Sequence, residues 1–260
     1  RNSAGQGGGV AAGSLFGGDA GTIDLKARTL RLTNGSELEA AAVGNGSGGN
    51  ITIDADAIFM SADPFPGDPI RRGIRSTAGD GPRGGDIRIT AGSMHVEGTT
   101  GIFSTAIASG DAGNIRIHAG SLYLGGDGGD SLIGITAATS ATGLDQQGSP
   151  VRAGGAGDIT INAGTVRLAR NAGIVAAALP ADDAGRAPGN AGNVTINADK
   201  LILNGAGGTI GRATVSAAAL GTQLPAGAAG NVTLNVGVIR LFEGGAVSTE
   251  TAGCGAAGRI

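Results

Sequence analysis

A single short phrase recurs along the whole chain. Gly-(Asn/Asp)-(Ile/Val)-x-(Ile/Leu) begins at Gly49, Gly85, Gly113, Gly157, Gly192 and Gly230, and Gly21 starts a variant with Thr22 in second place. The intervals from Gly21 are 28, 36, 28, 44, 35 and 38 residues, and a further 28 reaches Gly258. The shortest interval recurs, so the unit is a compact repeat that tolerates insertions. Periods of this size mark a solenoid, a propeller or an array.

Spacing inside the unit is stricter than spacing between units. Seven and nine residues after the first aliphatic come two more apolar positions in every unit: Leu30/Leu32, Ile58/Met60, Met94/Val96, Leu122/Leu124, Val166/Leu168, Leu201/Leu203 and Ile239/Leu241. A third apolar position follows at Leu38, Ile102, Ile174 and Val247. Ile74, Ile135 and Val215 take the same place once inserts of eight, five and six residues are allowed. Val10 lies 11 residues before Gly21, at the third position of a preceding unit.

Alternation of apolar and polar residues over four to six positions specifies a strand with one buried face. Each unit holds three such segments. The parity fails once, after a small residue such as Ala55, Ala91 or Ala119, and Asp56, Gly92, Gly120, Gly164 or Asp199 follows there. Such residues suit a corner. The chain therefore reads as all-β: a right-handed parallel β-helix, a β-solenoid of about seven three-strand coils with loop insertions. Crossovers between parallel strands favour that hand. Residues 1–260 form one solenoid segment. No polar cap closes either end, and uncovered strand edges invite association, so the segment reads as part of a longer repeat protein. Inserts are expected at Asp63–Arg72, Gly125–Leu132, Leu144–Ala156, Pro180–Pro188 and Gly221–Ala228.

Composition limits the core and the partners. With 53 Gly, one Tyr and no Trp, the interior must be built from Ile, Leu, Val and Ala. A lone coil of such residues cannot offset its own chain entropy, which is why coils must share faces with neighbours. The net charge is −3 and the 18 Lys and Arg are scattered. Neither a basic cluster nor a set of aromatic stacking platforms points to nucleic acid. Cys254 is the only cysteine. It cannot make an internal disulfide or complete a Cys/His zinc site. No apolar run is long enough for a spanning helix, and no signal peptide opens the chain. Either the protein is soluble in place or its targeting segment lies elsewhere.

The phrases "GGNITIDADAIFM", "AGNIRIHAGSLYL", "AGDITINAGTVRL" and "AGNVTINADKLIL" resemble those of the filamentous haemagglutinin-like exoproteins of two-partner secretion systems. The likeness covers nearly all of the chain. It implies a β-helical passenger on the surface of, or secreted from, a Gram-negative bacterium. It further implies export through an outer-membrane β-barrel transporter and an adhesive role towards host-cell glycan or protein, or neighbouring bacteria. That family's amino-terminal secretion domain is not visible here.

Candidate sites are few. Asn50, Asp86, Asn114, Asp158, Asn193 and Asn231 fall in one column at a turn, where short side chains cap backbone N–H groups. Gly125–Ile133 matches the calcium-binding nonapeptide form, with Asp127 and Asp130 as the candidate ligands. It occurs once, whereas such sites need stacked copies, so a loop outweighs a metal site. Acidic residues are scattered rather than paired as glycosidases require, and neither His95 nor His118 has a catalytic arrangement. No catalytic residue and no cofactor is assigned, and the chain is expected not to be an enzyme.

The outward column of the second segment is more unusual: Arg31, Phe59, His95, Tyr123, Arg167, Ile202 and Arg240. Aromatic and arginine side chains are favoured at interfaces, so Phe59, His95, Tyr123 and Arg167 form a candidate contact face. The expected function is a stiff adhesive rod. The alternatives are a β-helical polysaccharide-processing enzyme and a purely structural spacer.

Overall fold

The computed structural model describes residues 8–62, 72–126, 133–140, 154–179, 189–207, 212–220 and 227–260. Asp127, Asp130 and most of each expected insert lie outside them. Every regular element among the described residues is a strand. Seven long strands, β2 (Ile23–Thr33), β4 (Ile51–Ala62), β6 (Ile87–Gly98), β8 (Ile115–Gly126), β10 (Ile159–Ala169), β12 (Val194–Asn204) and β14 (Val232–Phe242), form one parallel sheet in chain order. Eight short ones form a second: β1 (Gly9–Ala11), β3 (Glu37–Ala42), β5 (Arg72–Ala78), β7 (Thr100–Ala106), β9 (Ile133–Ser140), β11 (Ala172–Leu179), β13 (Ala213–Ala219) and β15 (Gly245–Thr251). Long and short strands alternate, and each pairs only with its counterparts one coil away. The fold is a parallel β-helix.

Each sequence column becomes a line of register partners. Leu30, Ile58, Met94, Leu122, Val166, Leu201 and Ile239 pair in succession. Val10, Leu38, Ile74, Ile102, Ile135, Ile174, Val215 and Val247 do the same in the short-strand sheet. The units carrying inserts therefore keep the register of the compact ones. Two faces meet in a single aliphatic interior.

Two details differ from the sequence reading. The first two segments of each unit are one continuous long strand, because the corner takes a single residue. Arg28, Asp56, Gly92, Gly120, Gly164, Asp199 and Gly237 drop out of the paired register while both flanks stay in it. Secondly, Gly125 and Gly126 end β8 rather than opening an insert, and Arg72 opens β5.

The anchor glycine has a steric cause. A Cβ at Gly49, Gly85, Gly113, Gly157, Gly192, Gly230 or Gly258 would stand 1.8–2.2 Å from the carbonyl oxygen of the corresponding glycine one coil earlier. Backbones approach so closely at these seven glycines that no side chain fits, which forces glycine there; at Gly21 the nearest atom would be 3.4 Å away.

The next residue explains the Asn/Asp column. The Oδ1 atoms of Asn50, Asp86, Asn114, Asp158, Asn193 and Asn231 accept the backbone N–H of the following coil's residue at 2.7–2.9 Å. The column is a ladder that stitches coil to coil. A second, partial ladder stands three residues earlier, where Asp19, Asp111 and Asn190 accept from Ser47, Gly155 and Ala228 at 2.6–3.0 Å.

Uninserted coils pass from long to short strand through tight left-handed turns. Asn34 and Gly35, Arg170 and Asn171, and Glu243 and Gly244 all have positive φ. Asn tolerates this region because its short side chain bonds locally. Part of the outer face of the short-strand sheet is also buried: Phe103, Ala138, Ala177 and Ala218 point away from the interior by parity, yet are at most 6% exposed.

Candidate contact face

Strand alternation that buries Ile58 and Met60 must turn Phe59 outward, and the same holds for His95 in β6 and Tyr123 in β8. Parallel register then sets these side chains on one line, with Arg31 before them and Arg167 after. They touch one another. The Arg31 guanidinium lies 4.5 Å from the Phe59 ring centroid. Phe59 and His95 are 6.5 Å apart and tilted. His95 stacks on Tyr123 at 4.6 Å, and Arg167 covers Tyr123 at 5.9 Å. Aromatic pairs of this kind contribute about 0.5–1.5 kcal/mol, and exposed cation–π contacts about 0.5–1 kcal/mol.

The stacking decides what the column offers a partner. Phe59 lies between Arg31 and His95, His95 between Phe59 and Tyr123, and Tyr123 between His95 and Arg167. Each ring has both flanks occupied along the axis. Arg31, His95 and Arg167 stay exposed, while Glu97 engages the His95 Nε2 and Arg170 hydrogen-bonds the Tyr123 phenol.

Beside the column sits an ion cluster that the sequence did not reveal. Glu97 lies within 3.3 Å of the His95 ring nitrogen Nε2 and accepts a hydrogen bond from Arg170. Arg170 belongs to the turn after β10, two coils beyond Glu97. It can reach because the intervening coil has Gly125 in the register position of Glu97. Gly125 also leaves room for Tyr123, since a Cβ there would stand 2.7 Å from the phenol oxygen. The Gly125-Gly126 pair was the available signal.

The His95 hydrogen bond holds the Glu97 carboxyl below the usual carboxylate range; burial opposes it, and Arg170 adds to the lowering. Ionised Glu97 is thus favoured by folding. Its contribution is present above the unfolded pKa and is lost as pH falls through the lowered folded value. Since Glu97 and Arg170 are both about two-fifths exposed, solvent screening keeps the gain to a few tenths of a kcal/mol. Glu97→Gln should lower the urea midpoint slightly at pH 7 and not at pH 3. An unchanged gap between the two proteins at both pH values would contradict the assignment.

Other sites fare differently. His118 is exposed on the first half of β8, away from His95. An open groove of about 360 Å³ runs along Asp158, Thr160, Asn193, Thr195, Asn231 and Thr233. Its only carboxylate is Asp158, already an acceptor in the coil-to-coil ladder. Among the described residues no three His, Cys, Asp or Glu side chains could hold a metal ion together. Cys254 is exposed. No helix among the described residues is long and apolar enough to cross a membrane.

The class of protein these features define is a parallel β-helix with an aromatic and arginine ladder on one outer face. Comparison with protein-family models, curated proteins and solved structures found no match to the chain.

Proposed function

We propose that this chain is an adhesive, rod-like segment of a large secreted surface exoprotein of the filamentous haemagglutinin-like kind. It stands at the surface of a Gram-negative bacterium after export through an outer-membrane β-barrel transporter of the two-partner type. Phe59, His95, Tyr123 and Arg167 mark the face that meets host-cell glycan or protein, or neighbouring bacteria. The observation that carries this reading is the ladder itself: side chains of the types favoured at interfaces, fixed in one line on an outer face by the register of the coils. The recurring Gly-Asn-Ile-Thr-Ile phrases add the family resemblance.

Beads coated with the chain should adhere to epithelial cells or to bacterial lawns. Adhesion should drop several-fold on His95→Ala/Tyr123→Ala, with the circular dichroism of the β-helix unchanged. Adhesion equal to that of bare beads would favour a structural spacer. Turnover in a polysaccharide panel would favour the enzyme.

A further inference from the structure

Charge is distributed unequally around the stack. The outer face of the first half of the long strands carries Asp24 and Asp54 with Lys26, Arg88 and Arg116, and Arg28, Asp56 and Asp199 stand at the corner, so its charges offset one another. The second half carries Arg31, Arg167, Lys200 and Arg240 against a single carboxylate, Glu97. Glu97 is engaged by His95 and Arg170. The four cations form no ion pair with any described carboxylate. Arg31, Arg167 and Arg240 are exposed, and two of them are braced over rings.

Arg167, Lys200 and Arg240 belong to three successive coils, Lys200 on the column beside the other two. One cation therefore recurs per coil step of about 4.8 Å. Thr29, Ser93, Ser121 and Thr165 share the column of Lys200 and line the same face with hydroxyl groups. Along the Phe59–Tyr123 column each ring is flanked on both sides, and the exposed ring on this face is Phe242, beside Arg240 in the last long strand. What Arg167, Lys200 and Arg240 add is a run of positively charged donors at the spacing of the coils.

Resting on the adhesive reading of this same face, we infer that its ligand is a linear polyuronate lying along the stack. Such a chain carries one carboxylate on every sugar, and an extended sugar residue is about as long as one coil step. Carboxylates would meet Arg167, Lys200 and Arg240 in turn, and sugar hydroxyls would meet the Ser/Thr column. Arginine suits this role because its planar fork matches a carboxylate.

The test is polygalacturonate binding to the immobilised full chain, with dextran as the neutral polymer and single-stranded DNA as a different polyanion. Polygalacturonate should bind, more weakly as salt is raised, and dextran should not. Arg167→Gln/Lys200→Gln/Arg240→Gln should weaken binding roughly tenfold or more, at exposed-pair strengths summed over three contacts. Arg88→Gln/Arg116→Gln on the adjoining face should change it less than about twofold. No binding, an unaffected triple variant with intact circular dichroism, equal loss in the double variant, equal binding of dextran or a preference for DNA would each overturn the inference. The bead assay separates the two readings. Cell adhesion without polygalacturonate binding removes the polyuronate and leaves the adhesive rod, whereas loss of both removes both.

Discussion

Gly113→Ala should destabilise the protein by about 3 kcal/mol or more, as a lowered midpoint in urea unfolding followed by circular dichroism. The added methyl would stand 2.2 Å from the Gly85 carbonyl oxygen. Its neighbour there is backbone, not the end of a flexible side chain, so two coils must part. Parting them strains the Asn114 N–H bond to the Asp86 carboxylate and the Ile87 N–H bond to the Asn114 carbonyl, both 2.8 Å. Gly155→Ala is the control. Its methyl would meet nothing nearer than 3.6 Å, so the change should stay within about 1 kcal/mol and can stabilise by restricting the unfolded chain. Equal effects of the two substitutions would mean that close coil contact does not dictate the anchor glycine.

Leu122→Ala should cost about 2–5 kcal/mol, the range for buried leucine truncation. Leu122 is 1% exposed in the fourth long strand, with Met94 on one side and Val166 on the other. Both neighbours are held by their own ladders, so the vacated space cannot collapse fully. Ile239→Ala removes a similar side chain from the same column, but Ile239 is 45% exposed on β14. It should cost less than half as much, since much of its surface already meets water. Comparable losses at both positions would contradict the idea that stability comes from neighbours on either side.

Much of this fold was legible because a parallel stack repeats its environment at every coil. Ile135 and Val215 could be aligned across inserts, and both fall in register with Ile102 and Ile174. The Asn/Asp column was legible for the same reason: one turn, met again and again, asks for the same short acceptor. Phe59, His95 and Tyr123 could be placed on one outward line from parity alone. Side-chain packing along that line was not legible, since alternation fixes which way a residue points and not what it touches.

Arg170 escaped notice because it reaches Glu97 from 73 residues away, across a coil whose glycine leaves the path open. Burial outside the short-strand sheet escaped for another reason. Phe103 and Ala177 are buried on the side that alternation assigns to solvent, and a period-two pattern can report only one covered face. The corner was placed correctly, yet its effect was overestimated. One unpaired residue bends a strand without ending it, so two predicted segments became one.

The most direct test of the stack is a set of spin-label distances along one outward column. With Cys254 replaced by Ser, labels at Asp24 and Thr160 lie four coil steps apart, and labels at Asp24 and Thr233 six. Backbone separations of about 19 Å and about 29 Å follow from the strand spacing. Measured distances should rise by one constant step per coil, whatever the length of the inserts between labels. Distances that instead follow the number of residues between labels, or that do not increase from Thr160 to Thr233, would contradict the parallel β-helix and the contact face built on it.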